Sequence, residues 1–243
     1  MGAKIVSVSR RLISGFAAAL VLGLAFANPG KAATFSATDQ GWYDSSGLHH
    51  VGHQNFITGV LPGASYHDFF VFDLSSISGM TATSATLRIS SASAGSYVSD
   101  DASEVFSIYD YLGSVADLVG GTGGTTAFND LASGSSFGSL VLSKPGPSSA
   151  LPSIDINLNA AGLADINNLL AGSIFDFAIG GNCSTCTLGQ SIFSGSGNID
   201  GVQLELGFTP ISPTPLPAAL PLFVTMLGGM GFLKWRRGKR QTV

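Results

Sequence analysis

Two stretches of sequence decide the fold, residues 66–74 (YHDFFVFDL) and residues 81–90 (TATSATLRIS). In the first stretch Phe70, Phe72 and Leu74 occupy alternate positions, and in the second Ala, Leu and Ile alternate with Thr, Ser and Arg. Alternation with a period of two places every second side chain on the same face of an extended chain. Both stretches are therefore predicted to be β-strands with one face buried.

Five further segments have the character of short strands, and each is bounded by Gly, Pro, Asn or Ser. They are EVFSIYDY, SFGSLVLS, SIDINLN, IFDFAIGG and DGVQLELGF. Strands at this spacing predict a mainly β domain over residues 33–210, an antiparallel β-sandwich of jelly-roll-like form. One short helix is predicted from Asn159 to Leu170, with Asn159 as its N-cap and Gly172 as its stop, and we expect it to cover an open end or edge of the sandwich.

The segment 69–77 (FFVFDLSSI), followed by 83–89 (TSATLRI), resembles a known two-strand unit. This unit opens DNRLRE-type and related bacterial jelly-roll domains, which have carbohydrate-binding-module character. The likeness covers about twenty residues. It implies a jelly-roll β-sandwich, and it supports a fold more than a ligand.

Charged residues are segregated along the chain. Of the eleven Lys and Arg residues only Arg88 and Lys144 lie between residues 34 and 210, whereas all fifteen Asp and Glu residues fall there. This part of the chain therefore carries a net charge of −13 and would repel phosphate backbones. We expect no nucleic-acid partner.

The N-terminus has the order of a secretory signal peptide, residues 1–32. A basic segment, MGAKIVSVSRR, precedes the apolar run LISGFAAALVLGLAFA and then small residues. Cleavage is predicted after Ala27 or after Ala32. Pro29 and Gly30 favour Ala32, because they would break the apolar helix just upstream. An uncleaved membrane helix is the alternative.

The C-terminus, residues 211–243, is predicted to be a sorting segment in three parts. A linker and motif (211–218) precede a transmembrane helix (219–233) and a basic tail (234–243). As a helix, the apolar run from 218 to 233 would cover about 24 Å, less than a hydrocarbon core of about 30 Å. The cations of the tail act as a stop-transfer signal and keep it on the cytoplasmic side. They are Lys234, Arg236, Arg237, Lys239 and Arg240.

The residues Pro215, Leu216, Pro217 and Ala218, followed by the apolar helix and the Arg-rich tail, resemble a known sorting signal. It is the VPLPA variety of the PEP-CTERM signal of Gram-negative bacteria, and Thr214 stands where that pattern has Val. The resemblance implies processing by an exosortase, transient anchoring in the inner membrane, and delivery to the outer surface or the extracellular matrix. A plain C-terminal anchor helix is the alternative.

All the histidines, His49, His50, His53 and His67, lie in one short region. Imidazoles at such spacing can bind Zn or Cu, but this region has no helical periodicity that would bring them to one face. We interpret it as an exposed polar loop that enters a strand, and we predict neither a metal nor any other cofactor.

Cys183 and Cys186 form the single CxxC of the chain. In a cytosolic redox fold this spacing would indicate thiol exchange, and a doubled CxxC would indicate zinc. In an exported chain without a second pair it predicts a local disulfide that pins the loop GGNCSTCTLG.

Two other groups are candidates for binding. Asp100, Asp101 and Glu104 cluster in SYVSDDASEVF, where Ca²⁺ could find oxygen ligands, but their spacing matches no defined calcium loop and we interpret them as a solvated turn. Trp42 and Tyr43, in the polar stretch GWYDSSG, are predicted to be exposed and are the candidates for contact with sugar rings.

Sequence signatures of catalysis are absent: there is no Gly-x-Ser-x-Gly elbow, no phosphate-binding Gly loop and no His-Glu-x-x-His. The carboxylates follow no pattern that would locate a glycosidase pair. We therefore predict a non-enzymatic structural or interaction protein, exported and associated with exopolysaccharide or biofilm. A carbohydrate-binding module on the same β-sandwich is the alternative.

Overall fold

The fold is described from a computed structural model, and the description covers residues 30–147, 149–197 and 199–211. It is mainly antiparallel β, as predicted. The strands are β1 (Lys31–Ser36), β2 (Asp39–Asp44), β3 (Thr58–Leu61), β4 (Ala64–Asp73), β5 (Met80–Ile89), β6 (Ser96–Val98), β7 (Ser103–Asp110), β8 (Ser136–Ser143), β9 (Ile154–Asn157), β10 (Asp176–Cys183), β11 (Gln190–Ser194) and β12 (Val202–Pro210). The helices are α1 (Val115–Val119), α2 (Gly124–Asp130) and α3 (Ala160–Ala171).

The strands form two sheets that pack in a sandwich-like arrangement. One sheet has four strands in the order β1-β12-β5-β9. The other has eight, in the order β6-β11-β3-β4-β10-β7-β8, with β2 paired to β4. The first and last described strands, β1 and β12, pair with each other, and Lys31 lies opposite Phe208. The described domain therefore begins and ends at one corner of the smaller sheet.

The main core lies between the two sheets. Phe70, Phe72 and Leu74 are completely buried there, which confirms the face predicted from their alternation. They belong to the same buried cluster as Leu87 of β5 and Leu204 of β12. The two sheets thus contribute their apolar faces to one core.

A second core covers the opposite face of the larger sheet. Phe69 and Val71 of β4 are also buried, and they pack with Tyr43, Leu118 and Leu131. Leu118 belongs to α1, and Leu131 caps the C-terminus of α2. The sequence predicted neither helix, so the expectation of one short helix is wrong.

The predicted helix is present as α3. Its N-cap is Asn159, whose side-chain oxygen accepts hydrogen bonds from the backbone N–H groups of Ala161 and Gly162, and Gly172 is its C-cap. The amide side chain of Asn167 bonds to both backbone groups of Ala82, at 2.7 and 3.1 Å. Ala82 precedes the part of β5 that pairs with β9. The helix therefore forms hydrogen bonds with β5 at an open edge of the smaller sheet, as expected.

The terminal segments fall mostly outside the described residues. The predicted signal peptide is described only from Gly30 to Ala32, and the predicted sorting segment only at Ile211. None of the helices in the described ranges is long and apolar enough to cross a membrane. Strand β1 begins at Lys31 and so includes two residues that the sequence assigned to the signal peptide.

The contact between α2 and the larger sheet requires a residue without a side chain at position 180. A Cβ atom on Gly180 would lie 2.3 Å from the backbone oxygen of Leu131 and 2.5 Å from its Cα. We expect Gly180→Ala to lower the free energy of unfolding by about 1–3 kcal/mol, because α2 must move away from the sheet. Thermal and chemical denaturation of the chain, expressed with both terminal segments and purified in mild detergent, measure this change.

The matched control is Gly146→Ala. Gly146 is exposed, and a Cβ atom there would meet nothing within 4 Å. This variant should stay within about 0.5 kcal/mol of the parent protein. Equal stabilities for the two variants would contradict the close contact described between Leu131 and Gly180.

Candidate functional site

The predicted pair of exposed aromatic residues is divided between the two faces of β2. Successive side chains of a strand point to opposite faces. Trp42 is half-buried, whereas Tyr43 is completely buried in the second core, where its hydroxyl donates a hydrogen bond to the backbone oxygen of Leu118 at 2.8 Å. Burial raises the pKa of this hydroxyl. The prediction that Tyr43 is exposed for sugar contact is wrong, and only Trp42 keeps that possibility.

Trp42 lies in a group of aromatic rings that the sequence did not predict as a unit. Its ring makes edge-on contacts with Tyr66 and His50, at centroid distances of 5.1 and 5.5 Å. The ring of His53 lies 5.3 Å from that of His50. We call these four residues the aromatic group. It combines a half-buried indole with two exposed imidazoles, an arrangement that can stack on a sugar and bond to its hydroxyls.

The histidines have two different roles, so the interpretation of all four as an exposed loop is wrong in part. His49 is buried, stacks on Tyr43 and bonds through Nδ1 to the backbone oxygen of Trp42. His67 stacks on Phe128 at 4.0 Å and bonds through Nδ1 to its backbone oxygen. Burial lowers the pKa of both imidazoles, which favours the neutral form. These two histidines join β2 and β4 to neighbouring loops and helices.

The two cysteines form a disulfide, which matches the prediction. Cys183 is the last residue of β10 and is buried, and Cys186 is half-buried on the loop that follows. The backbone N–H of Cys183 donates to the hydroxyl of Thr58 on β3. The disulfide therefore lies where the end of β10 meets β3.

The interpretation of Asp100, Asp101 and Glu104 as a solvated turn holds for the two exposed aspartates and is wrong for Glu104, and the three carboxylates do not converge on one point. Glu104 is completely buried and points to the disulfide, with Oε2 at 3.7 Å from Sγ of Cys183. Asp101 accepts a hydrogen bond from Gln190, and Asp100 lies 3.7 Å from the ammonium group of Lys144. The three carboxylates therefore do not form a calcium cage. Within the described ranges, one group of three or more His, Cys, Asp or Glu residues has all its potential metal-ligand atoms within 4.8 Å of one another. It consists of Glu104, Cys183 and Cys186.

The buried carboxylate of Glu104 is held by hydroxyl groups from two loops. Ser99 donates to Oε1 at 2.6 Å, and Thr185 donates to Oε2 at 2.5 Å. Thr185 lies between the two cysteines, and its hydroxyl also accepts from the backbone N–H of Val105. Sequence reasoning missed this site because Glu104 and Cys183 are far apart in the chain and come together only through the pairing of β7 with β10.

An open cleft of about 500 Å³ adjoins the disulfide loop. Ser99 lines it and connects it to Glu104. Its rim includes two apolar side chains, Val98 with 42% and Leu188 with 72% of its surface exposed. The carboxylate of Asp100 is at the same cleft. The cleft thus offers apolar and acidic contacts beside a disulfide.

Asp68 is a second buried carboxyl group in the larger sheet, and it has a different environment. Both of its oxygens are buried, and neither has a hydrogen-bond partner within the described part of the chain. The Asp68 side chain fits there only because its neighbour on β10 is Gly181. A Cβ atom added to Gly181 would overlap Oδ1 of Asp68. Burial raises the pKa of Asp68 well above its usual value. Burial therefore favours the protonated form of Asp68.

Comparison with protein-family models and with curated proteins finds no match to this chain.

Asp68 should make the stability of the fold fall as pH rises. A carboxyl group with a raised pKa in the folded state contributes stability below its unfolded pKa of about 3.9, and this contribution is lost as pH rises towards the folded pKa. Asn has the same shape without the ionisation. We expect Asp68→Asn to be nearly neutral at pH 4 and increasingly stabilising above it, by about 1.4 kcal/mol per pH unit until the folded pKa is reached.

The measurement is the difference in unfolding free energy between the parent and Asp68→Asn from pH 4 to pH 8. Asp176→Asn is the matched control, because Asp176 is exposed at the start of β10. Its difference from the parent is measured over the same pH range and subtracted from that of Asp68→Asn. A difference for Asp68→Asn that is independent of pH would contradict the assignment of a protonated Asp68.

Proposed function

We propose that this protein is an exported structural or interaction protein of the cell surface or extracellular matrix, sorted at its C-terminus by an exosortase. The observation that carries the proposal is the pairing of β1 with β12, in which Lys31 lies opposite Phe208. This pairing supports the proposal because the described chain begins and ends at one corner of the domain, from which the two predicted segments would extend. A domain attached to a membrane by a single corner exposes the rest of its surface on the export side.

The composition of the domain surface supports the same role. The outer face of the smaller sheet carries mainly small polar side chains, with one ion-pair group in which Arg88 bonds to Asp155 and Glu205. A surface of this kind suits hydrated polysaccharide better than nucleic acid or lipid. The two antiparallel sheets also support the finer proposal of a jelly-roll-like sandwich related to DNRLRE-type domains.

The start of β1 bears on the signal-peptide cleavage site. Cleavage after Ala32 would remove Lys31 and Ala32, which lie opposite Phe208 and Gly207. Cleavage after Ala27 would leave the strand complete. The fold therefore favours Ala27, whereas the sequence alone favoured Ala32.

The sorting motif lies close to the end of the fold. Strand β12 ends at Pro210, and Pro215 follows Ile211 by four residues. An extended chain spans at most about 3.6 Å per residue, so Pro215 lies within about 14 Å of Ile211. The proline residues would keep this stretch extended and accessible to a membrane protease.

This proposal predicts both ends of the mature protein. Mass spectrometry of the protein from its native cells should find an N-terminus at Asn28 and a C-terminus near Pro217. Replacement of Pro215 and Pro217 by Ala should leave a larger form in the membrane, because the motif is lost. Pro213→Ala, just outside the motif, is the control and should be processed normally. Mature protein that keeps Trp235 and the basic tail, in cells with an active exosortase, would contradict the proposal.

A carbohydrate-binding module is the second candidate function, and the aromatic group around Trp42 is the observation in its favour. We expect the structural role to prevail, with no saturable binding of the organism's own polysaccharides on a glycan array. Saturable binding that is lost in Trp42→Ala would establish the second candidate instead. Tyr109→Ala is the control, because Tyr109 is a half-buried aromatic residue outside the aromatic group.

A further inference from the structure

The disulfide presents its two sulfur atoms unequally. Cys183 is buried, with 4% of its surface exposed, whereas Cys186 is half-buried on the loop beside the open cleft. A thiolate that attacks a disulfide must reach one of its sulfur atoms. Cys186 is the more exposed of the two, although it packs in part against the main core, so we expect the incoming nucleophile to attack Cys186 and Cys183 to leave.

A hydrogen-bond acceptor lies beside Sγ of Cys183. Oε2 of Glu104 lies 3.7 Å from Sγ of Cys183. The hydroxyls of Ser99 and Thr185 hold this carboxylate in position without help from the sulfur. When the disulfide is reduced, the thiol of Cys183 can donate its hydrogen to Oε2. The oxidised form has no hydrogen at that position, so this hydrogen bond is available only to the reduced form.

The cleft supplies a place for a substrate beside the disulfide. Leu188, which follows Cys186 by two residues, lies on its rim with Val98, and both are largely exposed apolar side chains. The lining of the cleft is mainly polar, with these two apolar side chains beside it, and such a surface suits an extended polypeptide that presents both kinds of group. Ser99 also lines this cleft, and its hydroxyl donates a hydrogen bond to Glu104.

We propose that Cys183 and Cys186 form a thiol–disulfide exchange couple for exported polypeptides that carry a pair of cysteines, with Glu104 holding the proton of Cys183 in the reduced state. This goes beyond the sorted structural role and does not depend on it. Neither a metal nor an organic cofactor takes part.

The thiol–disulfide exchange with the client takes place in two steps. A thiolate of the client attacks Sγ of Cys186, the bond between Cys183 and Cys186 breaks, and Cys183 leaves with the electron pair and takes up a proton. The second thiolate of the client then attacks the client sulfur of the mixed disulfide, and Cys186 leaves and takes up the second proton. The client dithiol is oxidised to a disulfide, and the pair Cys183 and Cys186 is reduced to a dithiol.

The first test measures how Glu104 affects the equilibrium. The chain, expressed with both terminal segments and purified in mild detergent, is equilibrated in glutathione buffers, and its thiols are trapped and counted by mass spectrometry. Hydrogen bonds to a charged acceptor are about twice as strong as those to a neutral one. We expect Glu104→Gln to lower the equilibrium constant for reduction about tenfold, equivalent to about 30 mV.

Glu205→Gln is the matched control for this equilibrium, because Glu205 is a carboxylate on the smaller sheet that pairs with Arg88. Its equilibrium constant should equal that of the parent. An unchanged constant in Glu104→Gln, or a disulfide that glutathione and dithiothreitol reduce only as fast as the protein unfolds, would overturn the proposal and leave a structural disulfide.

A second readout needs only the parent protein. In the reduced form, iodoacetamide should label Cys186 at least tenfold faster than Cys183, because Cys183 is buried and its proton is held by Glu104. Equal labelling rates in the folded, reduced protein would overturn the proposal. So would stoichiometric Zn²⁺ binding by the reduced protein that is lost in Glu104→Gln, since the sulfurs would then be metal ligands.

The last test concerns the cleft. The rate of exchange with a dithiol peptide that has apolar residues beside its cysteines should fall at least fivefold in a variant that combines Val98→Ser and Leu188→Ser. The rate with dithiothreitol should stay the same. Ile174→Ser removes a comparable exposed side chain just before the start of β10, away from Cys183, and should leave both rates unchanged. Equal losses with the peptide and with dithiothreitol would overturn the assignment of the cleft to a polypeptide client.

Discussion

Strand β4 imposes the main constraint on this structure, because both of its faces are apolar and both must be covered. Phe70 and Phe72 are buried against the smaller sheet, and Phe69 and Val71 are buried under α1 and α2. A strand that is buried on both faces has a nearly continuous apolar sequence instead of a clean alternation. The run FFVF therefore requires a second layer beyond the sandwich. The hydrogen bonds of Tyr43 and His67 to that layer follow from the same requirement.

The sequence predicted those parts of the fold that have a local signal. Alternation located β4 and β5, and strand-like segments between turn residues located β7, β8, β9, β10 and β12, whereas β1, β2, β3, β6 and β11 were not predicted. Asn159 and Gly172 bounded α3, because a cap and a helical period are properties of neighbouring residues. Helices α1 and α2 are short and lie among Gly and Thr residues, so their stability comes from packing on β4 and not from local propensity. Tyr43 was expected at the surface because its neighbours are polar, but the helices cover its face of β2.

The site around the disulfide shows the same limit more sharply. The spacing of Cys183 and Cys186 sufficed to predict their bond, whereas the approach of Glu104 depends on the register of β7 against β10. The surroundings of a carboxyl group decide what it can do. Glu104 has two hydroxyl donors and can act as an acceptor, while Asp68 has no partner within the described residues and is kept neutral by burial. The same sheet thus holds buried carboxyl groups in different surroundings.

The distribution of charge links the fold to the proposed sorting pathway. The whole chain has a net charge of −4, because cations at both ends offset the acids of the domain. Cleavage after Ala27 and near Pro217 would leave three cations, Lys31, Arg88 and Lys144, against all fifteen acids, a net charge of −12. In the proposed pathway both cationic segments would be lost from the corner of the smaller sheet where β1 pairs with β12. Anionic lipids attract the basic tail and repel an acidic domain. Processing would therefore remove the membrane anchor and reverse the electrostatic preference for the membrane surface, so that the mature domain leaves it.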